Sequence, residues 1–518
     1  MKKRVFAVVA LLVVAAFVMT ACTREGAGTT DGPRTHLNIV GPNLAVSMDP
    51  HQSNDAASAH QNKQVFSTLL KQCYDTFGPL PGLAVSWETP DAQTVNIQLR
   101  QGVTFHNGDP LTAADVQFSL ERAAASAEMG IIIGMLDHVT VHDNYNLTLH
   151  LEIPFAPILS HLAHPGTSII PMNHVLEVGD EAFADAPVGT GPFKVTSIVI
   201  GDRTEFVRFD NYWGERSVIE TITWRAVPDP STRLIEVISG YADFAIDLAA
   251  ADIPSADADP NAVLITRQNL ALNDWISFNT SKPPFNDIRV RQAIAYALDT
   301  DLIMRTVWGD LGSPAQGPIS NNVWGFSPQT PRPGSNMDRA RELLAEAGLA
   351  DGFSFEFWWN TPNIQRQQVG EMVQFVLAEL NIDVEVVAME WPTILSITAV
   401  TDPAETQHHA FCIGWVAVTG DADYGLFPPF HSSNFGGAGN RSFWHNAEVD
   451  ALLEAGRASV DLAERLRIYD RVQYIVNYEV PVIPIRQGMA AHAMSPSLRG
   501  FVIAPAGHNY FARVFFAD

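Results

Sequence analysis

The chain has 518 residues, 57 acidic and 32 basic, for a formal charge of −25. That length exceeds one compact domain and predicts two or three, while 47% apolar residues with 9% aromatics exclude a disordered chain. The acidic balance, with six Lys against 26 Arg, argues against nucleic-acid binding, and three Cys cannot make a disulfide framework.

Lys2, Lys3 and Arg4 precede an unbroken apolar run from Val5 to Met19. The run is short for a membrane span, which needs about 20 residues, and it ends in Met19-Thr20-Ala21-Cys22. A positive start, an apolar middle and small residues before a Cys predict an export signal over 1–21, resembling a bacterial lipobox with Cys22 lipidated. Loss of three positive charges takes the mature chain from −25 to −28. Residues 22–35 are rich in Gly, Thr and charge and read as a flexible tether. The body is then exported and held to a membrane through lipid alone. Cys73 and Cys412 are expected to sit as small apolar groups.

Leu37 to Val40 opens the body as a strand, and Asp55 to Leu70 reads as a helix. Thr94 to Leu99 alternates as a half-buried strand, and Val103 to Phe105 reads as a short strand between turns. Thr112 caps a helix through about Ala124, followed by a hairpin of Val139–Val141 and Leu147–Leu151. Strands are expected over Lys194–Val199, Glu205–Phe209 and Ile219–Val227. Asp287 to Ile303 carries Val290, Ile294, Leu298 and Leu302 at helical spacing. Asn336 caps Met337–Ala347; then strand Phe353–Trp359, helix Ile364–Leu380 and strand Val384–Met389 imply a parallel crossover. Helices Ala447–Ala458 and Leu462–Tyr478 lead to a strand at Val482–Ile485, and the aromatic tail from Phe501 is expected to dock on the body. This is mixed α/β with at least two lobes joined near Asn269 to Asn279.

Enzyme motifs are scarce. There is no His-Glu-x-x-His, no Gly-x-Ser-x-Gly and no phosphate loop. Gly189-Thr190-Gly191 runs into Pro192, which suits a turn better than a dinucleotide cradle. His138 with His142, His161 with His164, and His408-His409 read as solvated or core histidines rather than metal pairs. No metal, no cofactor and no catalysis are expected.

Several stretches share one resemblance. Leu99-Arg100-Gln101-Gly102-Val103-Thr104-Phe105-His106-Asn107-Gly108 is followed by Pro110-Leu111-Thr112-Ala113-Ala114-Asp115-Val116. Pro187-Val188-Gly189-Thr190-Gly191-Pro192-Phe193-Lys194, Asn211-Tyr212-Trp213, Pro284-Phe285-Asn286-Asp287-Ile288-Arg289-Val290-Arg291-Gln292-Ala293 and Gly414-Trp415 with Asp421-Ala422-Asp423-Tyr424 complete the series. Together they resemble the extracellular solute-binding proteins of the dipeptide/oligopeptide ABC-transporter family, from about Met48 to Ile485. The resemblance implies an α/β, periplasmic-binding-protein-like fold of type II, the large class with an extra subdomain. Lobe I would span 36–270, completed by 487–518, and lobe II 271–486. It implies a monomeric receptor, with a permease and its ATPase subunits as partners. Most of these motifs are expected to serve the fold.

A peptide carries an ammonium and a carboxylate, and a closing cleft must pair both. The resemblance points to Asp421 or Asp423 for the ammonium and to Arg366 for the carboxylate. Asn440-Arg441 offers forked donors, and the Gly-rich stretch that holds it and Phe435 looks closer to peptide/glutathione-type members than to the enteric dipeptide receptor. Trp415, Tyr424 and one of Trp358 and Trp359, here Trp359, are candidate walls, and Asn54 and Ser58 candidate contacts from the first lobe. The same scaffold binding a nickel chelate, haem or an oligosaccharide, an exported hydrolase, and a sensor protein are the competing readings.

Overall fold

The computed structural model describes residues 34–361, 363–436 and 439–517. The export segment, Cys22 and nearly all of the tether lie outside the described residues. No helix among the described residues is long and apolar enough to cross a membrane.

Two large sheets organise the chain. One has seven strands in the order Val263–Arg267, Ala490–Met494, Phe244–Ala245, His36–Gly41, Thr221–Ala226, Arg203–Arg208 and Phe193–Val199. The other has six, in the order Gly312–Pro314, Val482–Gly488, Leu272–Phe278, Ala410–Val416, Ser354–Thr361 and Asp383–Glu390. Ser354–Thr361 and Asp383–Glu390 pair in parallel across the helix Ile364–Leu377, as the crossover pattern predicts. A four-stranded antiparallel sheet, Ala84–Asp91, Thr94–Leu99, Asn146–Leu151 and Leu136–Val141, forms a subdomain inserted into the first lobe. The capped helix Ala113–Ala125 packs on it.

The chain passes between the large sheets twice. Val263–Arg267 leads to Leu272–Phe278, and Val482–Gly488 leads to Ala490–Met494. The passages lie side by side, the Leu270 N–H donating to the Gly488 carbonyl at 2.9 Å. Paired crossing strands can bend together, which is hinge geometry.

Strand alternation gives the six-stranded sheet two distinct faces. Ile276, Phe278, Phe357 and the buried Cys412 pack under the helices Ile288–Ala297 and Ile364–Leu377. Trp275, Trp358, Phe411 and Ile413 point the other way, into a core shared with the inserted subdomain. The tail docks as expected, with Phe511 and Val514 fully buried in the first lobe.

Three elements differ from expectation. The first helix is Ala56–Val65, and Leu69 and Leu70 belong to the turn and strand beyond it. The helix predicted over 287–303 is two, Ile288–Ala297 and Thr300–Trp308. Leu298 is extended, and Asp299 caps the second helix by accepting from the Leu302 N–H at 2.9 Å, a local bond that outweighs continued apolar spacing. Val103–Phe105 is no strand; only a bridge joins Thr104 to Pro110.

Two sequence motifs meet here. His106 Nε2 donates to the Gly191 carbonyl at 3.0 Å, and its Nδ1 accepts from the Gly189 N–H at 3.3 Å. The Gly191 N–H in turn donates to the Val65 carbonyl at 2.7 Å, ending the first helix. A Cβ on Gly191 would lie 2.5 Å from the Val65 carbonyl carbon, so the motif is a backbone-to-backbone contact. Gly191→Ala should therefore destabilise the protein by on the order of 3 kcal/mol in urea unfolding; an unchanged midpoint would contradict this packing.

Burial holds His51, His60, His106, His161 and His408 down at about 4, against 6.5 in an open chain. Between those values the unfolded chain takes up protons that the folded one refuses, so stability is lost as pH falls. Each such histidine contributes about 1.4 kcal/mol of loss by pH 5.5. Urea midpoints measured from pH 7 to pH 5 should fall; a flat or rising profile would contradict the neutral burial of these rings.

Candidate functional site

The sequence places Asp421 and Asp423 before Tyr424 in a turn-rich stretch, and the structure makes that stretch the start of a helix, Ala422–Phe430. Asp421 is its cap, accepting from the Asp423 N–H at 2.8 Å. Pro428 and Pro429 fall in its last turn and remove two backbone donors. The Trp415 indole N–H supplies one replacement, donating to the Tyr424 carbonyl at 2.9 Å. Trp415 thus fixes Tyr424, whose ring centroid lies 5.6 Å from its own.

Both aspartates are already matched. Arg465 donates to Asp421 Oδ1 at 2.7 Å. Arg457 grips Asp423 through Nε at 3.2 Å and NH2 at 3.0 Å. The Arg457 guanidinium also lies 3.3 Å from the Phe427 ring centre and 5.0 Å from that of Phe155 in the inserted subdomain. Burial pushes the Asp421 carboxyl up, and the Arg465 charge acts against that shift.

Arg366 is matched as well. It donates to Asn360 Oδ1 at 2.7 Å and to Asp274 Oδ1 at 3.4 Å, and Arg486 holds the other Asp274 oxygen at 3.0 Å. Asp274 shares the face of Ile276, opposite Trp275, and a Cβ on Gly414 would meet Asp274 and Arg366 together. Arg366 therefore stands on the helix-covered side of the sheet.

The other side carries a small recess of ≈ 30 Å³, partly open to solvent. Trp275, Phe411, Trp415 and Phe430 are among its walls, and Arg441 stands at its rim. Arg441 is held by bonds to the Leu395 carbonyl at 3.1 Å and to Thr398 Oγ1 at 2.5 Å, while His408 Nε2 donates to its carbonyl at 3.1 Å. Burial pulls the guanidinium down to about 10, which leaves it cationic at neutral pH. No ion pair to Arg441 occurs among the described residues; the carboxylate whose field reaches it is Glu128, from the inserted subdomain. Burial raises Glu128, and the Asp55 carboxylate beyond it raises it further. Asp55 is likewise raised by burial, against its bonds to Ser58. The arrangement is a buried cation on one lobe within the field of a carboxylate, Glu128, on the other.

The remaining candidates divide. Asn54 crosses between lobes, its Nδ2 donating to the Tyr424 hydroxyl at 3.2 Å. Ser58 is buried and structural: Oγ donates to Asp55 at 2.6 Å and accepts from the Val46 N–H at 2.9 Å. Asn440 is fully buried and ties its loop to the Trp444 carbonyl at 2.8 Å. Phe435 stacks edge-on against Phe443, with ring centroids 5.5 Å apart, and does not line the recess. Trp358, paired with Phe411 in the sheet, shares the recess face, so Trp359 points away from it. Sequence reasoning missed Trp275, Phe411, Phe430 and Glu128. Strand alternation marks the first two and the Phe-Pro-Pro-Phe stretch holds the third, whereas nothing local marks Glu128. No group of three metal-ligating side chains occurs among the described residues.

Known proteins resemble the chain in sequence and fold. The chain is 29% identical to the glutathione-binding protein GsiB of Pectobacterium atrosepticum over 477 residues, covering 89% of this chain and 90% of the relative. It is 27% identical to heme-binding protein A of Haemophilus influenzae, over 96% of this chain and 97% of that one. Among solved structures, the ABC transporter-associated periplasmic binding protein DppA of Helicobacter pylori, in complex with the peptide STSA, superposes with a TM-score of 0.85 at 25% identity, over 93% of this chain and 98% of that one. Residues 78–437 match the bacterial extracellular solute-binding proteins of family 5, and the chain belongs to that family of two-lobed binding proteins.

Proposed function

We propose that this protein is the receptor of an ABC importer and that its solute is a peptide held between the lobes. The single observation that carries the reading is Arg441, a half-buried cation with no ion pair among the described residues, lining an aromatic recess and within the field of Glu128. An Arg fork matches a carboxylate and keeps its charge when desolvated. A peptide ammonium beside Glu128 would offset the burial, and the added Asp55 charge, that raise it. Relatives named for glutathione and for peptides support this class of solute. The reading includes an export signal over 1–21, lipidation at Cys22, an extracytoplasmic body, a monomer, and lobes divided at 270 and 487. Binding and release without turnover is its chemistry.

The peptide should raise the melting temperature by mass action, and calorimetry with di- to tetrapeptides should give a saturable isotherm. Haemin, suggested by the second relative, serves as the competing ligand; haemin binding with no peptide isotherm would overturn the reading. Arg441→Leu should weaken peptide binding at least about 30-fold while the protein stays folded. Asp423→Asn should behave differently, lowering stability by roughly 3–5 kcal/mol because it strands Arg457 in the interior. If Asp423→Asn kept full stability and lost only binding, the pairing of Asp423 with Arg457 would not be its role.

A further inference from the structure

On the first-lobe side of Tyr424 lies a second group of charges that the recess does not use. His60 and Lys63 are three residues apart on the helix Ala56–Val65 and so share a face. His508 comes from the docked tail, its ring centroid 5.7 Å from that of His60. His164 packs against Tyr424 at 5.4 Å between centroids. The Lys63 charge bears on all three rings.

The hydrogen bonds fix which ring atoms are donors. His164 Nδ1 accepts from the Gly166 N–H at 3.0 Å, so the neutral ring carries its proton on Nε2, which is buried and has no acceptor. His60 Nδ1 accepts from the Asn509 N–H at 2.9 Å, which leaves Nε2 as its donor too. The Asn509 side-chain amide is buried and lies next to His492, with no hydrogen bond of good geometry at either end among the described residues. Lys63 makes no hydrogen bond or ion pair among the described residues; burial pulls it down to about 8, so it is still mostly cationic at pH 7. The carboxylate whose field reaches the group is Asp247, beside His60 and more than half exposed. Lys63 and the His164 Nε2 donor thus have no acceptor within hydrogen-bond distance among the described residues, and burying them unmatched is costly.

We propose that Lys63, His60 and His164, with His508 and Asn509, form a second anion-holding subsite, so that the solute carries a carboxylate here in addition to the one on Arg441. Tyr424 separates the two cationic points, touching His164 on one side and the recess wall Trp415 on the other. The inference rests on the peptide reading and narrows it to peptides with two carboxylates, such as a γ-glutamyl peptide.

Calorimetry with two matched tripeptides tests it: γ-glutamyl-cysteinyl-glycine, with two carboxylates, and Ala-Cys-Gly, with one. The native protein should bind the first about tenfold or more tighter. Lys63→Met should bring the two within about twofold by weakening only the first, and Lys63→Arg should restore the difference. An unchanged melting temperature and Ala-Cys-Gly affinity show that the variant is folded. Equal binding of both tripeptides by the native protein would overturn the subsite and leave the peptide reading standing, as would an equal loss for both in Lys63→Met. No binding of either would overturn the peptide reading and the subsite with it.

Discussion

A cleft that closes removes water from every charge inside it, and each charge must then find an opposite one. That constraint orders the interior of the second lobe. Asp423 is met by Arg457, Asp421 by Arg465, and Asp274 by Arg366 and Arg486. Each acid has its own arginine, placed on a neighbouring helix or strand with a bond of 2.7–3.4 Å. Arg441 breaks the rule. Its bonds go to neutral oxygens, and the carboxylate whose field reaches it, Glu128, belongs to the other lobe. A charge that the protein leaves unmatched is one that a ligand can match, and matching it stabilises the closed arrangement over the open one.

The aromatic residues serve that arrangement in two ways. Trp415 completes the helix that Pro428 would otherwise leave short of a donor, and so sets the position of Tyr424. Tyr424 then reaches Asn54 across the lobes. Trp275, Phe411 and Phe430 supply the apolar wall of the recess that Arg441 also lines. Lining and framework are continuous, because one face of the six-stranded sheet provides both.

Much of the fold was legible in the sequence. Alternation marked Thr94–Leu99, and Thr112 marked a capped helix. The crossover around Ile364–Leu377 followed from strand, helix and strand in order. Where legibility failed, a local bond had outweighed periodicity, as at Asp299, or a distant backbone had intervened, as at Val65 against Gly191. The site was legible only in part. Residue type identified Asp421, Asp423, Arg366 and Arg441 as charges worth matching, and type alone could not say which already had partners. Arg465 and Arg457 lie more than thirty residues beyond the acids they hold. Glu128 stands in a short connecting stretch with no pattern around it, and only the packing of the two lobes brings it within the field of Arg441.

The most direct test of this account is a crystal structure of the protein loaded with a bound peptide, read at one distance. The account predicts a ligand carboxylate within about 3 Å of the Arg441 guanidinium, with Asp423 still bonded to Arg457 and Asp274 to Arg366. A ligand carboxylate on Arg366, with Arg441 left facing neutral oxygens, would contradict it.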